Sequence, residues 1–486
     1  MPGLIIFLGA LLLSLVLIKP QVVLYDQGTG RHLAMGRAIW ANTSIPVADP
    51  LSFTYADRPY LDFEWLFDIT SYYILVTYGL PFLIFVTFLI YSASVTLFTF
   101  HLLRQRIQVF TCLSFGFLLS IANYVHLLTR PVIFTYLFLI LIIIAWNNWL
   151  KKRRPRLSFA LILTIFIIWT NIHPGFASGL VYIALASLGY LLDNHKQHWP
   201  KLRKQIRRIF IAGVLCGLVT LLNPYFIRLH EKILYLVFKS KTLGLLEESL
   251  PPDFTDPNGA TLFFMIYLIS LPFILISKRY RYSELIPMLA MTYFAFKSQR
   301  HILLLAPIAL LPMARTLDYY LKRLLPSRLL KKIDQFTLLE KKAKKQWLWG
   351  TGLALAIGIS FLSISSQKNL RIGVSNFHPA AKVFIDSNKA NFQRPIISSV
   401  LAGNILYYFH PTIKVPFDDR VDFYGDKISY QFLDAFSAKP GTENFLNNYD
   451  FDSAILHRGE PLERLLKTLP EWTVCYEDKN VIIFTR

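Results

Sequence analysis

The stretch VIFTYLFLILIIIAWNNW, residues 132–149, is followed almost at once by Lys151-Lys152-Arg153-Arg154. It carries no charge over about the 18–20 residues that a helix needs to cross a bilayer. Trp146 and Trp149 stand beside the basic cluster, where interfacial aromatic anchors belong. The pattern recurs at 157–172 (LSFALILTIFIIWTNI) and at 347–365 (WLWGTGLALAIGISFLSIS), the latter with Trp347 and Trp349 at its basic boundary. Across the chain 54% of residues are hydrophobic and only 17% are charged, where a soluble domain carries roughly 25% charged residues. A single buried helix would not repeat in this way. The sequence predicts a multi-spanning helical membrane protein.

Working outward, residues 3–18 read as an uncleaved first span, without the basic start and small-residue cleavage pattern of a signal peptide. Residues 69–102 are too long for one upright helix, and Gly79-Leu80-Pro81 divides them. We read 64–78 as a helix lying at the interface and 80–102 as the second span. Further spans are expected near 108–125, 132–149, 157–172, 176–192, 209–223, 260–277, 283–298, 301–315 and 347–365, about eleven in all.

The net charge of +21 invites a nucleic-acid reading, but its distribution opposes one. The basic residues lie in alternate loops: Arg104 and Arg106, then 151–156, 196–208, 278–281 and 315–346. Such loops mark a cytoplasmic face. Two spans within 69–102 would break the alternation at Arg104, which supports the interfacial helix. An odd number of spans then puts the N-terminus inside and the C-terminal part outside. Cys112, Cys216 and Cys475 are too few and scattered for a disulfide framework or metal cluster. Gly28, Gly30 and Gly36 have the wrong spacing for a dinucleotide fingerprint, so no nucleotide cofactor is expected. No paired inverted halves with broken helices stand out, which argues against a secondary transporter.

With the sides assigned, the unusual polar residues fall on the outer face. The first outer loop, 20–67, carries Asp26, His32, Asp49, Asp57, Asp62 and Glu64, with Asp68 just beyond. From Arg31 to Trp40 its pattern is helical, so His32 and Gly36 share a face. Elsewhere on this side lie Arg130, Asn171-x-His173, the loop acids Glu247, Glu248 and Asp253, and Arg300-His301. Ionisable groups slightly inside the hydrocarbon are costly and tend to be functional. Most have a plainer alternative, though none is evident for Arg300 between its two apolar spans. Asp26 and Glu64 could cap helices, Asp49 could brace its loop, Arg130 could snorkel to headgroups, and His32 and His173 could satisfy neighbouring backbone.

The order Asp26, His32-Leu33, Gly36-Arg37, Ile45-Pro46, Asp49, Ser52-Phe53-Thr54 and Glu64-Trp65-Leu66, with Asn171-x-His173 and PFDDRVDFYG (416–425), resembles a large group of bacterial membrane proteins. These are similar to the C-type (GT-C superfamily) glycosyltransferases. Pro174 departs from the glycine-rich continuation expected after His173. The resemblance implies a GT-C-like transmembrane bundle that moves a sugar from a polyprenyl-phosphate donor to an acceptor outside the cytoplasmic membrane. It implies that Asp26 is the catalytic acid residue of the first loop. His32, Asp49, Glu64, Arg130, His173, Arg300 and His301 are the candidate substrate-binding residues. Some superfamily members hold a divalent metal on acidic loop residues, for which Asp26, Asp49 and Glu64 are the candidate ligands. The expected partners are a lipid-linked sugar donor, membrane lipids and an acceptor that is a glycan, lipid or protein. Rival readings are a transporter or flippase for lipid-linked glycans, a non-catalytic assembly factor, and a polysaccharide ligase or polymerase.

Beyond about residue 368 short β-rich runs alternate with helical ones, predicting a small extracytoplasmic α/β domain over 368–486 after a transmembrane domain over 1–367. Expected strands are 395–399, 413–418, 452–456, 472–477 and 480–485; expected helices are 379–387, 402–409, 427–437 and 459–468. Asp418, Asp419, Arg420 and Asp422 fall at a strand-end loop, where ligand contacts or a self-paired turn braced on the membrane domain are both possible readings.

Overall fold

A computed structural model describes residues 28–56, 58–123, 128–241, 244, 247–326, 364, 379–388, 392 and 395–486. Asp26, Asp57, the expected first span and most of the span expected at 347–365 lie outside the described residues. Among those described, five helices are long and apolar enough to cross a membrane: Leu80–Arg104, Val132–Leu150, Phe176–Asp193, Gly259–Ser277 and Gln299–Leu324; two shorter apolar helices are Val109–Asn123 and Pro155–Trp169. The chain is a multi-pass membrane protein.

In chain order the helices are α1 (Gly28–Asn42), α2 (Trp65–Tyr78), α3 (Leu80–Arg104), α4 (Val109–Asn123), α5 (Val132–Leu150), α6 (Pro155–Trp169) and α7 (Phe176–Asp193). They continue with α8 (Trp199–Val219), α9 (Ile227–Phe238), α10 (Gly259–Ser277), α11 (Tyr282–Lys297) and α12 (Ile302–Leu324). Gly79, at φ +82°, makes the break between α2 and α3, a backbone region that glycine enters without a Cβ clash. Helix α8 starts ten residues before the apolar run read at 209, because its basic first half consists of good helix formers.

The loops sort to two ends of the bundle. At one end the basic connections meet: Asp193 accepts from the backbone of Tyr282 and Ser283 (2.8 and 3.2 Å), and Arg315 binds Glu284. There too Arg208 lies over Trp149, 3.8 Å from its ring centre. At the other end Asn171 ties α2 to the ends of α6 and α8. Its carbonyl accepts from Leu66 N–H (3.2 Å), and its side-chain amide donates to the Leu222 carbonyl (2.8 Å).

The C-terminal part stands at this second end. Its four-stranded sheet, ordered β1 (Ile396–Ser398), β2 (Ser453–His457), β4 (Val481–Thr485), β3 (Thr473–Glu477), pairs β1 parallel to β2 and the rest antiparallel. Strand alternation divides its core. Ile396, Ile455, Val481 and Ile483 face α13 (Pro379–Ser387) and α14 (Val400–Phe409). Ile397, Leu456, Ile482 and Phe484 face α15 (Val421–Phe436), α16 (Thr442–Asn448) and α17 (Pro461–Leu466). Residues 413–418, expected as a strand, are not one. Val415 instead makes a single bridge to Ser52 and its carbonyl accepts from Phe53 N–H (3.2 Å). The next residue, Pro416, has no N–H to continue a ladder.

The first outer loop is built into this core. Ala34, Met35, Ile39, Leu51 and Tyr60 share one apolar cluster with Ile385, Ile405 and Ile483. Helix α1 is therefore buried on more than one side, and two glycines permit it. A Cβ on Gly30 would stand 2.5 Å from the Asn404 carbonyl of α14, and one on Gly36 would collide with the Asp68 carbonyl of α2. Arg37 donates to the carbonyls of Tyr407 and Tyr408 (2.5 and 3.0 Å). Arg420, 4% exposed, donates from one guanidinium to both Asp49 (2.7 and 3.1 Å) and Asp418 (2.6 Å). Breaking one side of a buried pair costs about 3–5 kcal/mol. Arg420→Ala is thus expected to lower stability by about that amount, since two buried carboxylates lose their counter-ion. Thermal unfolding of the detergent-purified protein reads this loss, and an unchanged midpoint would contradict the clamp.

Candidate active site

Where α1, α2 and the connection after α6 meet, the chain gathers ionisable groups that its length keeps far apart. His32 and Gly36 lie on the face of α1 that meets α2, as the helical spacing predicts. His32 Nδ1 is 2.6 Å from Asp68 Oδ1, and Gly36 makes the closeness possible. Glu64 precedes α2 and is the centre of the cluster. One of its oxygens faces Arg31 Nη2 (3.7 Å) and His32 Nε2 (4.0 Å); the other faces His173 Nε2 (3.8 Å). Arg31 is held from the far side by Asp419, at 2.7 Å. The Arg130 guanidinium packs on Gly28, where a Cβ would come within 2.8 Å of it. Asp62 completes the group, its backbone N–H donating to the Tyr225 hydroxyl (2.8 Å).

Donor logic fixes both histidines. Arg31 Nη2 lies 3.2 Å from His32 Nε2 and has only protons to offer, so Nε2 accepts and the ring proton sits on Nδ1 toward Asp68. At His173 the Gly175 N–H donates to Nδ1 (3.0 Å), so the proton is on Nε2, facing Glu64. Burial and nearby cations keep both rings neutral: His173 is lowered to about 3 by burial and Arg300, and His32 is lowered by burial, Arg31, Arg130 and His173.

The carboxyls move the other way. Burial pushes Glu64 up to about 8 against the pull of Arg31, and Asp62 up to about 6. Asp68 rises as well, from burial and from Asp62 beside it, and its second oxygen is buried with no hydrogen-bond partner among the described residues. Three crowded carboxyls cannot all be charged. Near neutral pH the site therefore holds Glu64 as an acid beside a fixed N–H donor and permanent cations.

The structure thus brings together His32, Glu64, Arg130 and His173 of the residues singled out in the sequence. Arg300 pairs with Glu248, close enough for both charges to act on His173. His301 packs against Phe294, with ring centres 5.6 Å apart. Asp49 is engaged by Arg420 and by Ser52, whose hydroxyl donates at 2.5 Å. Asp26 lies outside the described residues. Arg31, Asp62, Asp68 and Asp419 join the site beyond the candidate binding residues; Asp62 and Asp68 belong to the acids of the first outer loop, Asp419 to the strand-end loop at 418–422, and Arg31 was hinted at only by its adjacency to His32. The described residues do not fit a metal. Asp49 is already committed to Arg420, Glu64 faces an arginine, and among the described residues no three His, Cys, Asp or Glu side chains converge as ligands.

No protein-family profile and no curated protein matches the sequence. Among solved structures, the apo oligosaccharyltransferase of Archaeoglobus fulgidus superposes with a TM-score of 0.56 at 13% identity, over 94% of this chain and 69% of that one. ArnT from Cupriavidus metallidurans, solved bound to undecaprenyl phosphate, gives 0.51 at 12% identity, over 99% and 97%. The fold is GT-C-like. At such identities the likeness is one of fold, and it agrees with the fold that the first-loop pattern implies.

The raised carboxyls make a pH prediction. Unfolded Glu64 loses its proton near 4.5, whereas the folded group keeps it to about 8. Its contribution to stability is thus full below about pH 4.5 and is lost as pH rises through about 8. Glu64→Gln removes this term, so its melting temperature relative to the unchanged protein is expected to climb between about pH 5 and pH 9. A gap that stays flat would show that Glu64 is not held protonated.

Proposed function

We propose that this chain is an integral membrane glycosyltransferase that moves a sugar from a polyprenyl-phosphate donor to an acceptor on the extracytoplasmic face. The observation that carries the reading is the grouping of Arg31 and the His173 N–H around Glu64, with Arg130 acting on the neighbouring His32, at the bundle end opposite the basic loops, in a GT-C-like fold. Basic loops belong to the cytoplasmic side. They support a bacterial cytoplasmic-membrane protein with its N-terminus inside and its C-terminal domain outside.

The chemistry suits those groups. The acceptor hydroxyl oxygen bonds to the anomeric carbon as the bond from that carbon to the phosphate oxygen breaks. The electron pair leaves with polyprenyl phosphate, and Asp26, two residues before Gly28 in the sequence, takes the hydroxyl proton late in the step. Arg130, Arg31 and the His173 N–H offset the charge growing on the leaving phosphate. Along Trp65 and Leu66, the residues that follow Glu64 in the chain, an open apolar groove of about 550 Å³ is lined by Leu66, Ile167, Ile168, Leu222 and Phe226, with Trp65 and Asn171 at its polar side. It suits a lipid chain whose phosphate reaches the cluster. Asp49, Arg300 and His301 stand further out in this scheme, Asp49 in its pair with Arg420, Arg300 near enough to act on His173, and His301 packed on Phe294.

The test is the consumption of radiolabelled polyprenyl-phosphate sugar by proteoliposomes supplied with extracted envelope glycans and lipids. Asp26→Asn and Arg130→Ala are each expected to slow transfer by roughly 100-fold or more, the usual effect of losing a general base or a charge-stabilising donor. Full activity in both correctly inserted variants would overturn the reading and favour an assembly factor, for which these residues are dispensable.

A further inference from the structure

His173 does not acquire its orientation alone. Behind it Thr135 of α5, 2% exposed, places its hydroxyl oxygen 2.7 Å from Nδ1. The same oxygen receives the indole N–H of Trp169, the fully buried last residue of α6, at 3.0 Å. An indole nitrogen only donates, so it occupies an acceptor position on the threonine oxygen and turns the hydroxyl proton toward the histidine. The Gly175 N–H reaches Nδ1 as well. Two donors therefore converge on one ring nitrogen, which leaves the proton no stable place there.

We propose that Thr135, backed by Trp169, is the positioning residue that locks His173 with its proton on Nε2, aimed at Glu64. This rests on the transferase reading only for what the N–H does; the lock itself stands on the hydrogen-bond chain Trp169–Thr135–His173. The relay runs from a membrane span into the site and explains why a threonine with an engaged hydroxyl is buried in a helix whose central run, 137–145, is wholly apolar. The other charged and titratable groups that act on His173 are Glu64 in front, His32 beyond it, and the Arg300–Glu248 pair at its side. Arg300 and Glu248 bear opposite charges, so neither tautomer is favoured by that pair as strongly as by the direct donors to Nδ1.

The lock has a signature that packing alone lacks. In solid-state NMR with nitrogen-15 histidine, the His173 signals are identified by their loss in His173→Gln. They are expected to show only the Nε2–H tautomer and no titration between about pH 5 and pH 8. Thr135→Val, which leaves the Gly175 N–H on Nδ1, is expected to introduce some of the Nδ1–H tautomer or to move protonation of the ring to higher pH in a titration carried down to about pH 3, because one of two donors to the neutral ring is gone. Thr135→Ser keeps the hydroxyl and restores the original signals. Trp169→Phe frees the hydroxyl to rotate and gives a smaller change in the same direction, which keeps the test open if the valine variant does not fold.

In the transfer assay Thr135→Val is expected to lower kcat by roughly 10-fold with KM little altered, because the lost alignment matters most as charge develops. Thr135→Ser stays within about twofold, since it keeps that donor. Unchanged tautomer and titration in both Thr135→Val and Trp169→Phe would overturn the lock. A shifted tautomer without transfer in any form, the unsubstituted protein included, would support the lock while removing the transferase reading.

Discussion

The buried guanidinium of Arg420 holds together stretches of chain 371 residues apart. Removing its charge from water is costly, and two carboxylates with good geometry offset that cost. The geometry is good: Asp49 receives two of its N–H groups, Asp418 receives others, and Tyr407 and Tyr424 donate to Asp418 at 2.9 and 3.0 Å. The interaction fixes where the first outer loop meets the C-terminal domain. Its sequence neighbours extend the effect, Asp419 to Arg31 and Asp422 to Lys232 on α9. A five-residue stretch of the C-terminal domain thus holds the loop that carries the site, and at its centre the Asp49–Arg420–Asp418 charges are buried away from screening water.

Everything at the site follows from crowding that this frame imposes. Helix α1 approaches α14 and α2 so closely that Gly30 and Gly36 leave no room for a Cβ. That closeness buries Asp62, Glu64 and Asp68 together, and the pull of Arg31 and Arg420 does not outweigh the burial, so protons are retained that a carboxyl in water would release. The two histidines become fixed neutral rings of opposite tautomer. Polar groups are held in place before any ligand arrives, which is how an enzyme stabilises developing charge without reorganising itself.

Much of this was legible in the sequence. Apolar runs bounded by basic loops identify α3 to α8 and α10 to α12, because a bilayer imposes length and sidedness locally. The 3.6-residue period placed His32 and Gly36 on one face, and the break at Gly79 separated α2 from α3. Other features depend on contacts between distant segments, which spacing does not encode. Asp49 reads equally as brace or ligand until Arg420 is seen against it. Asp68 looks like an ordinary acid in the first turn of α2 until His32 lies on it. Residues 413–418 have strand-like composition, but their one bridge among the described residues is to the first loop. Helix α9 was missed because its exposed apolar face, including Leu234, Val237 and Phe238, is broken by Arg228, Glu231 and Lys232. Thr135 gave no signal, being one hydroxyl in a span.

The central claim is that a lipid phosphate belongs in the Arg31–Glu64–Arg130–His173 cluster, outside the membrane. Cryo-electron microscopy of the protein in nanodiscs with added polyprenyl phosphate tests it most directly. The account predicts phosphate density within hydrogen-bond reach of Arg130, Arg31 or His173 Nε2, with the chain leaving along Leu66 and Ile167. Phosphate bound instead among the basic loops at the opposite end, or a cluster that stays empty at saturating lipid, would contradict it.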